Sequence, residues 1–132
     1  MTYTDLHIHS LVSDGSMTPE EIAAYAKKRG LSAFALTDHD NIAGDAAAEK
    51  AARELGLGFV PGMELSVRFH GRKLHIVCLG FDREHPSFQK FYKKVRASKE
   101  AKIHEIVSFV RARGIKITME DVERFAYGLA DR

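Results

Sequence analysis

The sequence predicts an α/β fold with a parallel sheet. Short apolar segments of strand composition alternate with helical segments over residues 3–65, and this alternation is typical of consecutive βαβ units. Each of the two helical segments is followed by a glycine, Gly30 or Gly56, which is the residue that most often closes a helix. The length of 132 residues corresponds to one domain, and a content of 45% hydrophobic residues suffices for a sizeable core.

The first predicted strand covers residues 3–9. Side chains alternate between the two faces of a strand, so Leu6 and Ile8 share one face. Asp5, His7 and His9 then share the other face. The two histidines lie about 6.6 Å apart along the strand, at a rise of roughly 3.3 Å per residue, and their side chains can converge on one ion.

A capping box predicts where the first helix begins. After the loop LVSDGS, Thr18 can cap the helix, Pro19 suits its first turn, and Glu21 completes the box. The helix EEIAAYAKKR then runs to Gly30.

A second helix lies between two further strands. Residues 32–40 form the second strand, which ends in TDHD, and residues 45–56 form the helix. Residues 58–65, GFVPGMEL, are expected to form one continuous third strand.

The pattern changes after the third strand. SVRF and KLHIVCLGF flank the turn sequence His70-Gly71-Arg72, which predicts a β-hairpin or a sharp return. This return would place His75 near Glu64.

The remainder of the chain is predicted to be helical. Residues 87–113 form one long amphipathic helix, and a short helix starts at Thr118, with Asp121 three residues on. The chain then ends in YGLADR. The charged run 93–102 is interpreted as a solvated helix face; a nucleic-acid contact is the alternative, although acidic residues interrupt the run.

Composition narrows the function classes. A net charge of +2 is too small to indicate a nucleic-acid or membrane partner. The N-terminus lacks a basic region followed by a long apolar one, and no segment approaches the roughly 20 apolar residues of a membrane span, so a cytoplasmic location is expected. The single cysteine, Cys78, is predicted to be a buried small hydrophobe.

Histidine is the unusual feature, with seven residues in 132. The candidate ligands follow the carboxyl ends of the predicted strands, where α/β folds hold their chemistry. They are His7, His9, Asp14, His39, Glu64 and His75. Mixed imidazole and carboxylate ligands suit Zn²⁺, Mn²⁺ or Fe²⁺, and Asp38 and Asp40 could orient His39 by hydrogen bonds.

Each of these residues also has an ordinary structural explanation. His7 and His9 could be an ordinary strand pair, and His39 could be part of a charge cluster or a helix cap. Glu64 could be a surface acid at a turn, and His75 a strand histidine bonded to backbone. The remaining histidines, His70, His85 and His104, are expected at the surface.

These motifs resemble the PHP (polymerase and histidinol phosphatase) family. H-x-H-S is followed by S-D-G, then T-D-H-D, then P-G-x-E, then a lone histidine before G-F. The resemblance is close over residues 3 to about 81 and looser through ITMEDVERFA. It implies the N-terminal portion of a distorted seven-stranded β/α (TIM-like) barrel, with a PHP core over residues 1–81 and a helical insertion over residues 82–132.

The resemblance also implies a centre of two or three divalent ions, Mn²⁺, Zn²⁺ or Fe²⁺. The matched ligands are His7, His9 and Glu64 for one ion, Glu64 and His75 for a second, and Asp14 and His39 for a third. Glu64 would bridge two ions.

The implied activity is phosphoester hydrolysis by a metal-bound hydroxide. The expected substrate is a phosphomonoester, a nucleotide or a short oligonucleotide. Family chains are about twice as long and carry later ligands in G-R-P-H-like and D-x-H motifs, so the chain is expected to be the N-terminal part of a longer protein. If 132 residues are the whole molecule, association with another copy or another chain is expected instead. The alternatives are a metal-binding or interaction module without turnover, and the editing domain of a DNA polymerase.

Overall fold

A computed structural model describes residues 2–126 of the chain. The elements, in chain order, are β1 (Tyr3–Ile8), α1 (Pro19–Lys28), β2 (Leu31–Leu36), α2 (Asp45–Glu54), β3 (Gly58–Val60), β4 (Gly62–Phe69), β5 (Arg72–Leu79), α3 (Pro86–Arg111) and α4 (Met119–Phe125).

The first three strands form a parallel sheet in the order β1-β2-β3, which confirms the predicted α/β class. Its core lies against α1 and α2. Alanines such as Ala23, Ala48 and Ala52 are completely buried there, because short side chains let both helices approach the sheet closely. Phe34 is also fully buried and meets Phe59 edge to face at 5.4 Å between ring centroids; burial of such a side chain contributes about 1.5–3 kcal/mol.

The predicted capping box is present at the start of α1. The amide of Glu21 donates to Thr18 Oγ1 at 3.2 Å, and the amide of Thr18 donates to Glu21 Oε2 at 2.8 Å. Gly30 follows the helix with a φ of 77°, a left-handed conformation that costs glycine nothing. The helix bounds are therefore set by local residues.

The prediction of one continuous strand over residues 58–65 is wrong. β3 ends at Val60 and β4 begins at Gly62, so the two strands belong to different sheets. Pro61, between them, has no amide hydrogen to donate to a neighbouring strand. A Cβ on Gly62 would lie only 2.2 Å from the carbonyl oxygen of Leu36, so this close passage requires glycine.

The predicted hairpin is confirmed. β4 and β5 pair antiparallel over eight consecutive residue pairs, with positive φ at both turn residues 70–71. His75 lies opposite Ser66, two residues from Glu64, so the imidazole and the carboxylate share one face of the hairpin.

Cys78 is half-buried, less than expected, and this burial raises the pKa of its thiol.

The chain divides into two compact units, Met1–Arg83 and Glu84–Arg132. The second contains α3, which exposes Lys90, Lys93 and Lys94, and α4, which begins with its own capping box at Thr118. The final segment YGLADR, residues 127–132, lies outside the described residues, and the expected boundary after residue 81 stays a prediction. No helix between residues 2 and 126 is long and apolar enough to cross a membrane.

Candidate metal centre

The carboxylate of Glu64 lies where three histidine side chains meet. Its Oε2 atom is 2.8 Å from His7 Nε2 and 2.9 Å from His9 Nε2. Its Oε1 atom is 3.0 Å from His75 Nδ1. Glu64 is buried, whereas the side chain of His7 is 52% exposed. One carboxylate is thus shared by β1 and the hairpin, with an open side at His7.

A second carboxylate, that of Asp14, joins the loop after β1 to the end of β2. Asp14 Oδ1 is 2.9 Å from His9 Nδ1, and Asp14 Oδ2 is 3.6 Å from His39 Nε2. His39 Nδ1 is 3.9 Å from Glu64 Oε2. The ring of His39 therefore lies between the two carboxylates, with the rings of His9 and His75 each 4.7 Å from it.

These side chains form three overlapping groups, and within each group the potential ligand atoms lie within 4.8 Å of one another. The groups are His7–His9–Glu64, His9–Asp14–His39 and His39–Glu64–His75. The structure thus brings together all six side chains that were predicted from the sequence as ligands. Their role as ligands stays a prediction.

The other three histidines lie elsewhere among the described residues. His70 occupies the hairpin turn, and His104 lies exposed on α3. His85 caps α3, where its Nδ1 atom accepts a hydrogen bond from the amide of Ser87 at 3.2 Å.

The loop after β1 folds tightly back on the strand. The amide of Gly15 donates to the carbonyl oxygen of Ser10 at 2.8 Å. A Cβ on Gly15 would lie 2.1 Å from the carbonyl oxygen of His9, so only glycine fits. This turn places Asp14 beside His9, five positions earlier in the sequence.

Asp38 and Asp40 bond to serine residues, and their role in orienting His39 stays a prediction. The carboxylate of Asp38 accepts hydrogen bonds from Ser10 and Ser13, and that of Asp40 accepts one from Ser66.

The electrostatics favour the ionisation states that bind metal. Burial works to raise the pKa of Glu64, but the hydrogen bond from His7 and the neighbouring imidazoles outweigh it and hold that pKa below its usual value. The pKa of Asp14 is lowered in the same way, against the effect of its burial, by His9 and His39. Burial lowers the pKa of His39 despite the two carboxylates nearby.

The residues present fit a divalent metal. His39 Nδ1 is buried and has no hydrogen-bond partner among the described residues, which leaves its lone pair or its proton unsatisfied. Ionised carboxylates and neutral imidazoles are the forms in which these side chains coordinate Zn²⁺, Mn²⁺ and Fe²⁺.

Sequence reasoning missed a cavity of about 600 Å³ beside His7 and His9. Its lining includes Met17, Tyr25 and Arg29, and the guanidinium of Arg29 lies 5.9 Å from the centre of the Tyr25 ring. The sequence does contain one sign of this cavity wall: Tyr25 and Arg29 are four positions apart, a spacing that places both side chains on the same face at the end of α1.

Fold and site together define an α/β protein whose histidine and carboxylate side chains come together from its parallel sheet, the loops after β1 and β2, and its hairpin. The chain belongs to the PHP family: the model of the PHP domain matches residues 5–111.

Known relatives include hydrolases of phosphate esters. The chain is 38% identical over 128 residues to a 5'-3' exoribonuclease of Haemophilus influenzae, covering 97% of this chain and 47% of the relative. It is 37% identical over 115 residues to a 3',5'-nucleoside bisphosphate phosphatase of Chromobacterium violaceum, covering 87% of this chain and 40% of the relative. The chain therefore spans less than half the length of these two curated relatives.

A solved structure supports the fold. A Bifidobacterium adolescentis protein, whose name places it among the metal-dependent phosphoesterases, superposes with a TM-score of 0.82 at 27% identity. The match covers 94% of this chain and 43% of that chain. Closure of a complete barrel stays a prediction.

Proposed function

We propose that this chain carries the metal centre of a phosphoesterase that hydrolyses a nucleotide, a short oligonucleotide or another phosphomonoester. The observation that carries the proposal is the sharing of Glu64: one buried carboxylate meets His7 on β1, His9 just after it and His75 on β5. Such sharing suits two neighbouring divalent ions better than one. Asp14 and His39 offer donors for a third.

Divalent ions held by these residues would supply charge neutralisation at phosphoryl oxygens and activation of water. The protein's own contribution is to hold its carboxylates ionised and His39 neutral, ready to bind, around the buried carboxylate of Glu64. The exposed side of His7 leaves the centre accessible from the cavity.

The cavity beside His7 supports a nucleotide-sized substrate. A volume of about 600 Å³ falls within the usual range for small-molecule sites. Tyr25 offers an aromatic surface for a base, and the guanidinium of Arg29 offers a charge for phosphate. These residues would orient a substrate and leave its scissile phosphate toward His7 and His9.

The test combines metal content with turnover. We expect about two or three ions per chain by mass spectrometry after purification with Mn²⁺, by the logic of clustered ions. Hydrolysis of a 3',5'-nucleoside bisphosphate and of a short RNA would then be measured. Glu64→Gln should lose both metal and turnover, whereas the matched variant His104→Gln, on exposed α3, should retain both. A chain that binds no metal, or a Glu64→Gln variant with full turnover, refutes the proposal.

A second candidate is a metal-binding module without turnover. Each of the three groups has three protein donors among residues 2–126, and the chain spans less than half the length of the two curated relatives. Bound ions in the wild-type chain, with no hydrolysis of either substrate, would favour this candidate.

A further inference from the structure

Two buried acids flank His39 in the segment that leaves β2. Asp38 is 2% exposed and Asp40 is 4% exposed. Aspartate is costly to bury without partners, and neither carboxylate belongs to the three groups of potential ligands. Their hydrogen bonds lead to two different parts of the centre.

Asp38 holds the loop after β1. Its Oδ1 atom accepts from the amide of Ser10 at 2.7 Å and from Ser13 Oγ at 2.6 Å. Its Oδ2 atom accepts from Ser10 Oγ at 2.6 Å. Ser13 Oγ also lies 3.3 Å from both His9 Nδ1 and Asp14 Oδ1. The three bonds therefore fix the loop that joins His9 to Asp14.

Asp40 holds the hairpin. Its Oδ1 atom accepts from the amide of Ser66 at 2.7 Å, and its own amide donates to the carbonyl oxygen of Glu64 at 3.0 Å. Ser66 pairs with His75 across the hairpin. Asp40 has a φ of 52°, a left-handed conformation that aspartate and asparagine tolerate better than most residues. This conformation turns its carboxylate and its amide toward the same strand.

We propose that Asp38 and Asp40 are positioning residues for two different parts of the centre. Asp38 positions Asp14 through the loop after β1. Asp40 positions Glu64 and His75 in the hairpin. This inference rests on the proposed metal centre. The His9–Asp14–His39 group then depends on Asp38, and the His39–Glu64–His75 group depends on Asp40. Loss of residues that orient metal ligands typically costs 10- to 100-fold in metal affinity.

The test is a Zn²⁺ titration of the ¹⁵N-labelled chain, followed by NMR at two reporters. The amide of Gly15 reports on the loop, and the ring nitrogens of His75 report on the hairpin. With Asp38→Asn we expect the Zn²⁺ midpoint at Gly15 to rise 10- to 100-fold, with less than about a threefold change at His75. With Asp40→Gly we expect the opposite pattern.

Two further variants separate positioning from general loss of stability. Asp40→Asn keeps an acceptor for the Ser66 amide and tolerates the left-handed backbone, so it should restore the wild-type midpoint that Asp40→Gly loses. Leu57→Ala weakens the core of the same unit and should shift neither reporter by more than about threefold. Equal shifts at both reporters in Asp38→Asn and in Asp40→Gly, as general destabilisation would give, overturn the inference.

Amide hydrogen exchange without metal gives a readout that does not depend on ion binding. Asp38→Asn should speed exchange at residues 10–13 and leave residues 64–66 unchanged, and Asp40→Gly should do the reverse. A wild-type chain that binds no Zn²⁺ refutes the proposed function. If each variant speeds exchange equally at residues 10–13 and at residues 64–66, the two aspartates do not have separate roles, and this result refutes the inference whether or not metal binds.

Discussion

Asp45 is a buried acid outside the candidate metal centre, and its charge should oppose folding. It is 2% exposed at the start of α2, and its Oδ2 atom has no hydrogen-bond partner among the described residues. Burial raises the pKa of Asp45 from 3.8 to about 7, although Arg83 and a hydrogen bond from the amide of Gly62 favour the ionised form. The nearby charges of Asp38 and Glu49 add to the rise.

The direction of the pH effect follows from this raised pKa. The folded protein keeps a proton on Asp45 that the unfolded chain releases between about pH 4 and pH 7. The contribution of Asp45 to the free energy of unfolding therefore falls as the pH rises through this window, and the loss is complete above pH 7.

The variant Asp45→Asn removes this loss because asparagine resembles the protonated acid and does not ionise. The interval from 3.8 to about 7 corresponds to about 4 kcal/mol at 1.36 kcal/mol per pH unit. The helix start favours a negative charge by about 0.3–1 kcal/mol, so we expect a net gain of about 3 kcal/mol at pH 8. At pH 4 the variant and the wild type should be equally stable.

Urea denaturation at pH 4, 6 and 8 measures the difference. The matched control is Glu54→Gln, the same chemical change at the exposed end of α2, which should alter stability by less than about 0.5 kcal/mol at each pH. A variant less stable than the wild type at pH 8 would show that the attraction of the charged Asp45 to Arg83 outweighs its burial, and would refute the expected gain.

Three further predictions concern the fold and the centre. Gly62→Ala should lower the free energy of unfolding by about 3 kcal/mol in urea denaturation, because its Cβ would lie 2.2 Å from the carbonyl oxygen of Leu36; an unchanged midpoint would contradict the close approach. Thr18→Ala should cost about 1 kcal/mol through loss of the cap on α1, whereas Thr4→Ala on exposed β1 serves as a comparison and should cost less. Zn²⁺ at 100 times its dissociation constant should stabilise the wild-type chain by about 2.7 kcal/mol per ion, an effect that EDTA reverses; thermal unfolding that does not respond to Zn²⁺ would argue against the centre.

Local patterns predicted most of the secondary structure. The capping boxes at Thr18 and Thr118 depend on residues three apart, and both are present. Strand alternation placed His7 and His9 on one face, and both reach Glu64. Each of these features is encoded within a few neighbouring residues, which is why sequence reasoning found them.

The features that sequence reasoning missed depend on contacts between distant segments. The break at Pro61 arises because the chain passes the carbonyl oxygen of Leu36 and changes sheets. The hydrogen-bond partners of Asp38 and Asp40 lie 25 to 28 residues away, and the local sequence TDHD does not predict which residues they are. From the sequence, Asp45 resembles an ordinary exposed acid in the first turn of a helix, and only the structure shows that it is buried.

The division between sheet and hairpin at Pro61 also sets an order of assembly. The β4–β5 pairing joins residues close in sequence, and such hairpins form within about 1–10 μs. The parallel sheet needs two helical crossovers to close first, which is slower because its contacts are non-local. Glu64 meets His7 and His9 once β4 has joined the segment after β2, where the amide of Glu64 donates to the carbonyl oxygens of Thr37 and Asp38 at 3.2 Å. Ions at this centre would therefore bind late in folding rather than nucleate it.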